Sequence, residues 1–246
     1  MAGLEPLSFA YDSRGRMTTI TEGSRAYALS YDAQGYLATI IDPLGRTMGF
    51  AYNAAGRVTR QTLPDGREIR FTYDPNGNVT SVTPPGRPSH TFTYTPVDLE
   101  QEYLPPVAAG TGTTNTLYTY NLDKQLTRIT RPDGQSVDLG YDTPGRLSTL
   151  TLPTGTIRYA YHPTTGKVET LTAPDGGTVR FTYDGSLLTS STWVGVVNGS
   201  VNFTHNQDFR IISESVNGVQ PIPFEYDADG LLTQAGALTI TRDPQY

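Results

Sequence analysis

The chain has 246 residues, with 25 Gly, 18 Pro, 16 Tyr and no Cys, and a formal net charge of −6 at pH 7. The lack of Cys excludes a disulfide scaffold and any thiolate metal site. Excess acid, scattered Arg and only two lysines, Lys124 and Lys167, argue against a phosphate-backbone surface and a polybasic membrane segment.

From Tyr11 onward one pattern governs the chain. An aromatic residue recurs at Tyr11, Tyr31, Tyr52, Tyr73, Tyr94, Tyr120, Tyr141, Tyr161, Tyr183, Phe203 and Tyr226, an interval of about 21 residues that marks a repeat architecture. Two positions before each sits an apolar residue, from Phe9 and Leu29 to Val201 and Phe224. Spacing by two places both members of a pair on one face of a strand.

A turn follows the aromatic. Asp12 precedes Gly15, Asp32 precedes Gly35, Asp74 precedes Gly77, Asp142 precedes Gly145 and Asp227 precedes Gly230; Tyr52 is followed by Gly56 and Tyr183 by Asp184. Acid first and Gly fourth is the signature of a type I turn, the Asp capping local amides and Gly accepting the left-handed conformation. A second strand then reads Met17-Thr-Thr-Ile20, Leu37-Ala-Thr-Ile40, Val79-Thr-Ser-Val82 or Leu147-Ser-Thr-Leu150. Its apolar residues are three apart, so either a bulge intervenes or both faces are partly covered. Pro-x-Gly turns such as Pro43-Leu-Gly45, Pro64-Asp-Gly66 and Pro174-Asp-Gly176 close the other end.

These units predict an all-β fold of about 22 strands: a continuous antiparallel hairpin meander, coiling into a spiral or barrel-like wall because open twisted sheets rarely exceed about 10 strands. The modest hydrophobic content of 36% suits a one-layer wall better than a packed sandwich. The whole of 1–246 reads as a single repeat domain. Residues 95–117 form its one long insertion loop, and 238–246 read as a truncated next repeat with Arg242 in the aromatic slot.

Candidate chemistry is sparse. His90, His162 and His205 lie in no metal-ligand spacing, and no nucleophile elbow, phosphate loop or dinucleotide fingerprint occurs. No enzyme, metal or cofactor is expected. Glu102 and Tyr103 in the insertion and Trp193, the single Trp, are the candidates for touching a partner or a glycan.

Phe9-Ala-Tyr-Asp-Ser-Arg-Gly-Arg-Met-Thr-Thr-Ile20, Phe71-Thr-Tyr-Asp-Pro-Asn-Gly-Asn-Val-Thr-Ser-Val82 and Leu139-Gly-Tyr-Asp-Thr-Pro-Gly-Arg-Leu-Ser-Thr-Leu150 resemble the YD-repeat, or Rhs-repeat, family. Such repeats occur in bacterial Rhs toxins, in the B and C components of insecticidal toxin complexes and in teneurins. The resemblance implies a non-enzymatic shell module that encapsulates or displays a toxin or adhesion segment of a larger, secreted or cell-surface bacterial protein. The expected partners are the remaining shell repeats and an enclosed C-terminal toxin or plug segment. An adhesion module for glycans or a cell-surface receptor is the alternative. Nucleic acid and a membrane span are not expected, while open sheet edges invite self-association. The chain reads as an excised piece of such a shell.

Overall fold

A computed structural model describes residues 7–106 and 115–242. The chain is all β, with 23 strands from Leu7–Tyr11 to Leu238–Thr239 and no helix among the described residues. The described residues divide into two compact units, one comprising 7–106, 115–125 and 130–134, the other 126–129 and 135–242.

In the first unit, eleven strands run from Leu7–Tyr11 to Thr116–Tyr120. Each pairs antiparallel with its neighbours in sequence. The second unit holds 126–129 of the strand Leu126–Thr130 and the strands that come after it, and from Ser136–Tyr141 they follow the same meander. The expectation of about 22 strands falls one short, the extra strand being the two-residue Leu238–Thr239.

The unequal spacing of the second strand comes from a bulge. Tyr52 pairs with Val58 but Ala51 pairs with Arg60, so Thr59 is the extra residue. The same shift follows Tyr11, Tyr31, Tyr73, Tyr94, Tyr141, Tyr161, Tyr183 and Tyr226. One inserted residue returns both apolar side chains to the aromatic face: Met17 lies opposite Tyr11, and Ile20 opposite Phe9.

The faces therefore differ in chemistry. One carries Phe50, Tyr52, Val58, Phe71, Tyr73 and Val79. The other carries small and hydroxyl side chains, linked across strands by Ser30–Thr39 at 2.6 Å and Thr72–Ser81 at 2.6 Å. The second unit repeats this with Leu139, Tyr141, Leu147 and Leu150 against Gly140, Thr149 and Thr151. No hydrophobic side chain is buried among the described residues, and Ser191 is the one buried polar residue. Within each unit, order comes from the ladder and its cross-strand links rather than from a dry core.

Three expectations are corrected. The aromatic slot near residue 203 belongs to His205, not Phe203: the bulge separates the pairs Thr204–Ser213 and His205–Ile211, and Asn206 opens the turn. Phe203 occupies the apolar position two residues earlier. The stretch 95–117 is not one loop, because Glu100–Leu104 is a strand paired with His90–Tyr94 and Thr116 begins another; residues 107–114 of it lie outside the described residues. Asp184 does not open the acid-first, Gly-fourth turn: it ends the strand Thr178–Asp184 opposite Leu187, across the two-residue turn Gly185-Ser186. Residues 243–246 of the expected truncated repeat 238–246 also lie outside the described residues.

Candidate functional site

The repeat residues build a linkage that begins in the Asp turn. Asp12 Oδ1 accepts the amides of Arg14 at 2.8 Å and Arg16 at 3.0 Å, while Oδ2 accepts Arg16 Nε at 2.8 Å. The Arg16 amide and then its guanidinium hold the Asp12 carboxyl below the usual carboxylate range, although partial desolvation opposes them. Asp32 caps Gly35 and Tyr36, Asp74 caps Gly77 and Asn78, and Asp227 caps Asp229 and Leu231. In the second unit Asp142 binds the Arg146 amide and guanidinium in the same way.

The tyrosine hydroxyls connect successive hairpins. Tyr31 donates to the Met17 carbonyl at 2.7 Å, Tyr52 to Leu37 at 2.8 Å, Tyr73 to Val58 at 2.7 Å, Tyr94 to Val79 at 2.8 Å and Tyr120 to Glu100 at 2.7 Å. Tyr141, Tyr161, Tyr183 and Tyr226 bond Leu126, Leu147, Val168 and Ile211 likewise. Each acceptor named with a mapped bulge stands opposite the preceding aromatic, outside the ladder to the next strand: the pairing of Met17–Glu22 with Arg25–Tyr31 begins at Thr19. The phenol thus satisfies a carbonyl that the bulge removes from the ladder. Arg242 makes the corresponding bond, its Nη2 donating to the Leu232 carbonyl at 2.8 Å.

A second contact runs between the same repeats. The residue after the turn glycine, or after Phe209 in its place, lies over the next tyrosine: Arg16 over Tyr31 at 4.4 Å, Arg57 over Tyr73 at 5.2 Å, Arg146 over Tyr161 at 4.2 Å, Lys167 over Tyr183 at 4.6 Å and Arg210 over Tyr226 at 5.6 Å. Tyr36 stacks on Tyr52 instead, with centroids 4.9 Å apart. The next turn makes room for that side chain. A Cβ at Gly35 would sit 3.4 Å from Arg16, at Gly77 3.1 Å from Arg57 and at Gly56 2.5 Å from the Tyr36 hydroxyl. At Gly56 glycine is therefore favoured twice, for a positive φ and for space.

The candidate contact residues have defined places. Tyr103 bonds His90 Nδ1 through its hydroxyl at 2.7 Å and stacks on Phe92 with centroids 5.3 Å apart, so it is engaged within the aromatic face. Glu102 points to the opposite face and accepts Asn115 Nδ2 at 2.8 Å. In the second unit Trp193 is 37% exposed. It lines an open recess of about 400 Å³ with Ile157, Leu171, Val179, Val196 and Val197. The sequence reading passed over Glu100, whose signal was visible: it is a carboxylate at a strand position that is Met, Leu, Ile or Val after the other bulged turns.

No group of three or more His, Asp or Glu side chains is placed to hold a metal among the described residues, and no helix there is long and apolar enough to cross a membrane.

Comparison with known proteins follows the fold. The chain is similar to the crystal structure of TcdB2-TccC3-Cdc42, at 15% identity and TM-score 0.66, over 98% of this chain and 16% of that one. TcdB2-TccC3 gives 14% identity and TM-score 0.65 over 98% of this chain and 16% of that one. TcdB2-TccC3 without its hypervariable C-terminal region gives 15% and 0.52 over 94% and 17%. At such identities the likeness is one of fold, and the chain spans less than a fifth of those chains. No curated protein matches it in sequence. The Teneurin YD-shell family matches residues 1–246, and the chain belongs to that family.

Proposed function

We propose that this chain is a stretch of shell wall that encloses a toxin segment of a larger, exported protein, acting sterically and without catalysis. The observation that carries the reading is the two-faced, coreless meander in each unit. Its repeats are joined by phenol-to-carbonyl bonds rather than by burial, which suits a wall that bounds space. Family membership and the TcdB2-TccC3 fold likeness support it. Other shell repeats are the natural partners. The strand Leu7–Tyr11, exposed along its length and paired among the described residues with Met17–Glu22 alone, offers an edge for a preceding repeat or a second copy.

Limited proteolysis of the protein in its full natural length tests this. The enclosed segment resists protease, and it becomes cleavable when Tyr52, Tyr73 and Tyr94 are together replaced by Phe. Cleavage of that segment at equal rates with and without the replacements overturns enclosure.

A second reading, adhesion to a glycan or a cell-surface protein, draws on the Trp193 recess, whose rim residues Val196 and Val197 are 92% and 75% exposed. Selective glycan-array binding that Trp193→Ala abolishes would favour it over the pure wall.

A further inference from the structure

Within the first unit, the step around Glu100 departs from every neighbouring repeat in two respects. After the bulged turns at Tyr11, Tyr31, Tyr52 and Tyr73, the residue opposite the aromatic is Met17, Leu37, Val58 and Val79. Opposite Tyr94 it is Glu100. Tyr94 and Tyr120 also lack the cover that Tyr31, Tyr52 and Tyr73 carry. The residue preceding Tyr94 in the stacking pattern is Asn78, which bonds Asp74 and Asp98. The one preceding Tyr120 is Leu99, so neither ring carries a cation.

A half-buried carboxylate thus stands on an aromatic face, flanked by uncovered rings. Tyr94 lies directly across the strand pair, and Tyr120 delivers its hydroxyl to the Glu100 carbonyl at 2.7 Å. Desolvation, and after it the Glu100 charge, raises the phenols of Tyr94, Tyr118 and Tyr120. Glu100 is itself raised by burial. Among the described residues Glu100 joins no ion pair, and Lys124 of the following turn does not reach it. A desolvated carboxylate without a cation is costly. Elsewhere this chain places a cation over the tyrosine ring, with a carboxylate beside it in the case of Arg16.

We propose that Glu100, Tyr94, Tyr118 and Tyr120 form a receptor for one organic cation, the guanidinium or alkylammonium head of an Arg or Lys side chain on another polypeptide segment. The carboxylate supplies the counter-charge, the rings supply cation–π faces, and the bound head completes the arrangement that Arg16 provides internally at Tyr31. The site stands apart from the enclosure reading: it works on either side of a wall, so its failure leaves that reading untouched.

The test is a titration of the chain, labelled with ring-¹³C tyrosine, with N-acetylargininamide, followed by NMR. Saturable shifts confined to the rings around Glu100 are expected. Binding of the neutral isostere N-acetylcitrullinamide should be about tenfold weaker, a factor in line with an ion pair reinforced by cation–π contact. Glu100→Gln should weaken argininamide binding by about tenfold. Glu100→Leu, which installs the residue type found at this step elsewhere, should abolish it while the far-ultraviolet circular dichroism stays unchanged. Equal binding of the citrulline compound, an unchanged affinity in Glu100→Gln, or shifts spread evenly over all tyrosines would overturn the site. Guanidinium chloride binding as tightly as argininamide would overturn the assignment to a side chain.

Discussion

The Tyr52 hydroxyl donates to the Leu37 carbonyl at 2.8 Å, and Leu37 is the residue opposite Tyr31, the preceding tyrosine. One bond thus ties an aromatic slot to the bulge of the hairpin before it. Tyr52→Phe keeps the ring and removes only the donor, leaving a part-buried carbonyl short of its partner. A loss of about 1 kcal/mol is expected in urea denaturation. Tyr11→Phe, at a tyrosine whose hydroxyl serves no carbonyl among the described residues, should change stability by less than about 0.5 kcal/mol.

Two turn glycines separate backbone strain from crowding. Gly15 and Gly56 share φ +75, but a Cβ meets nothing within 4 Å at Gly15 and meets the Tyr36 hydroxyl at Gly56. Gly15→Ala should cost about 1 kcal/mol from the left-handed backbone alone. Gly56→Ala should cost more, because Tyr36 must also leave its stack on Tyr52. Equal losses in thermal melts would show that the glycine serves only the turn.

Phe209 stands where most repeats carry glycine, with φ 63 and its ring 72% exposed. Phe209→Gly relieves the backbone and gives up little buried surface, so it should stabilise the chain by about 1 kcal/mol. The midpoint of denaturant unfolding checks the sign.

Asp12 and Asp42 are each held low first by a backbone amide, of Arg16 and Arg46, and by the matching guanidinium. A depressed carboxyl binds its proton more weakly in the native state than in the unfolded one. Its contribution is therefore complete above the usual carboxylate range and is lost as pH falls through the native value. Stability should fall on acidification below about pH 4, and Asp12→Asn should flatten that fall. A stability profile unaltered by Asp12→Asn would contradict the role of this turn.

The sequence carried the hairpin plan because the period, the Asp–Gly turns and the two-residue aromatic spacing are all local signals. The bulge was legible only as an ambiguity, since the three-residue gap between Met17 and Ile20 has two explanations until the pairing partners are known. The slot at His205 was missed because an imidazole breaks the aromatic pattern and Phe203, two residues earlier, imitates it. Glu100–Leu104 was hidden as a strand by its Glu-Gln-Glu composition, which contradicts strand propensity. The stacking of Arg16 over Tyr31 and the isolation of Glu100 depend on which side chains face each other across hairpins, which no single repeat encodes.

Electron cryo-microscopy of the protein in its full natural length tests the wall most directly. Each of the two units is expected to appear as a single β layer with one face toward a cavity, and density for another part of the polypeptide is expected inside a cavity so bounded. The same segment lying away from any cavity, packed on both faces by other domains, would contradict it.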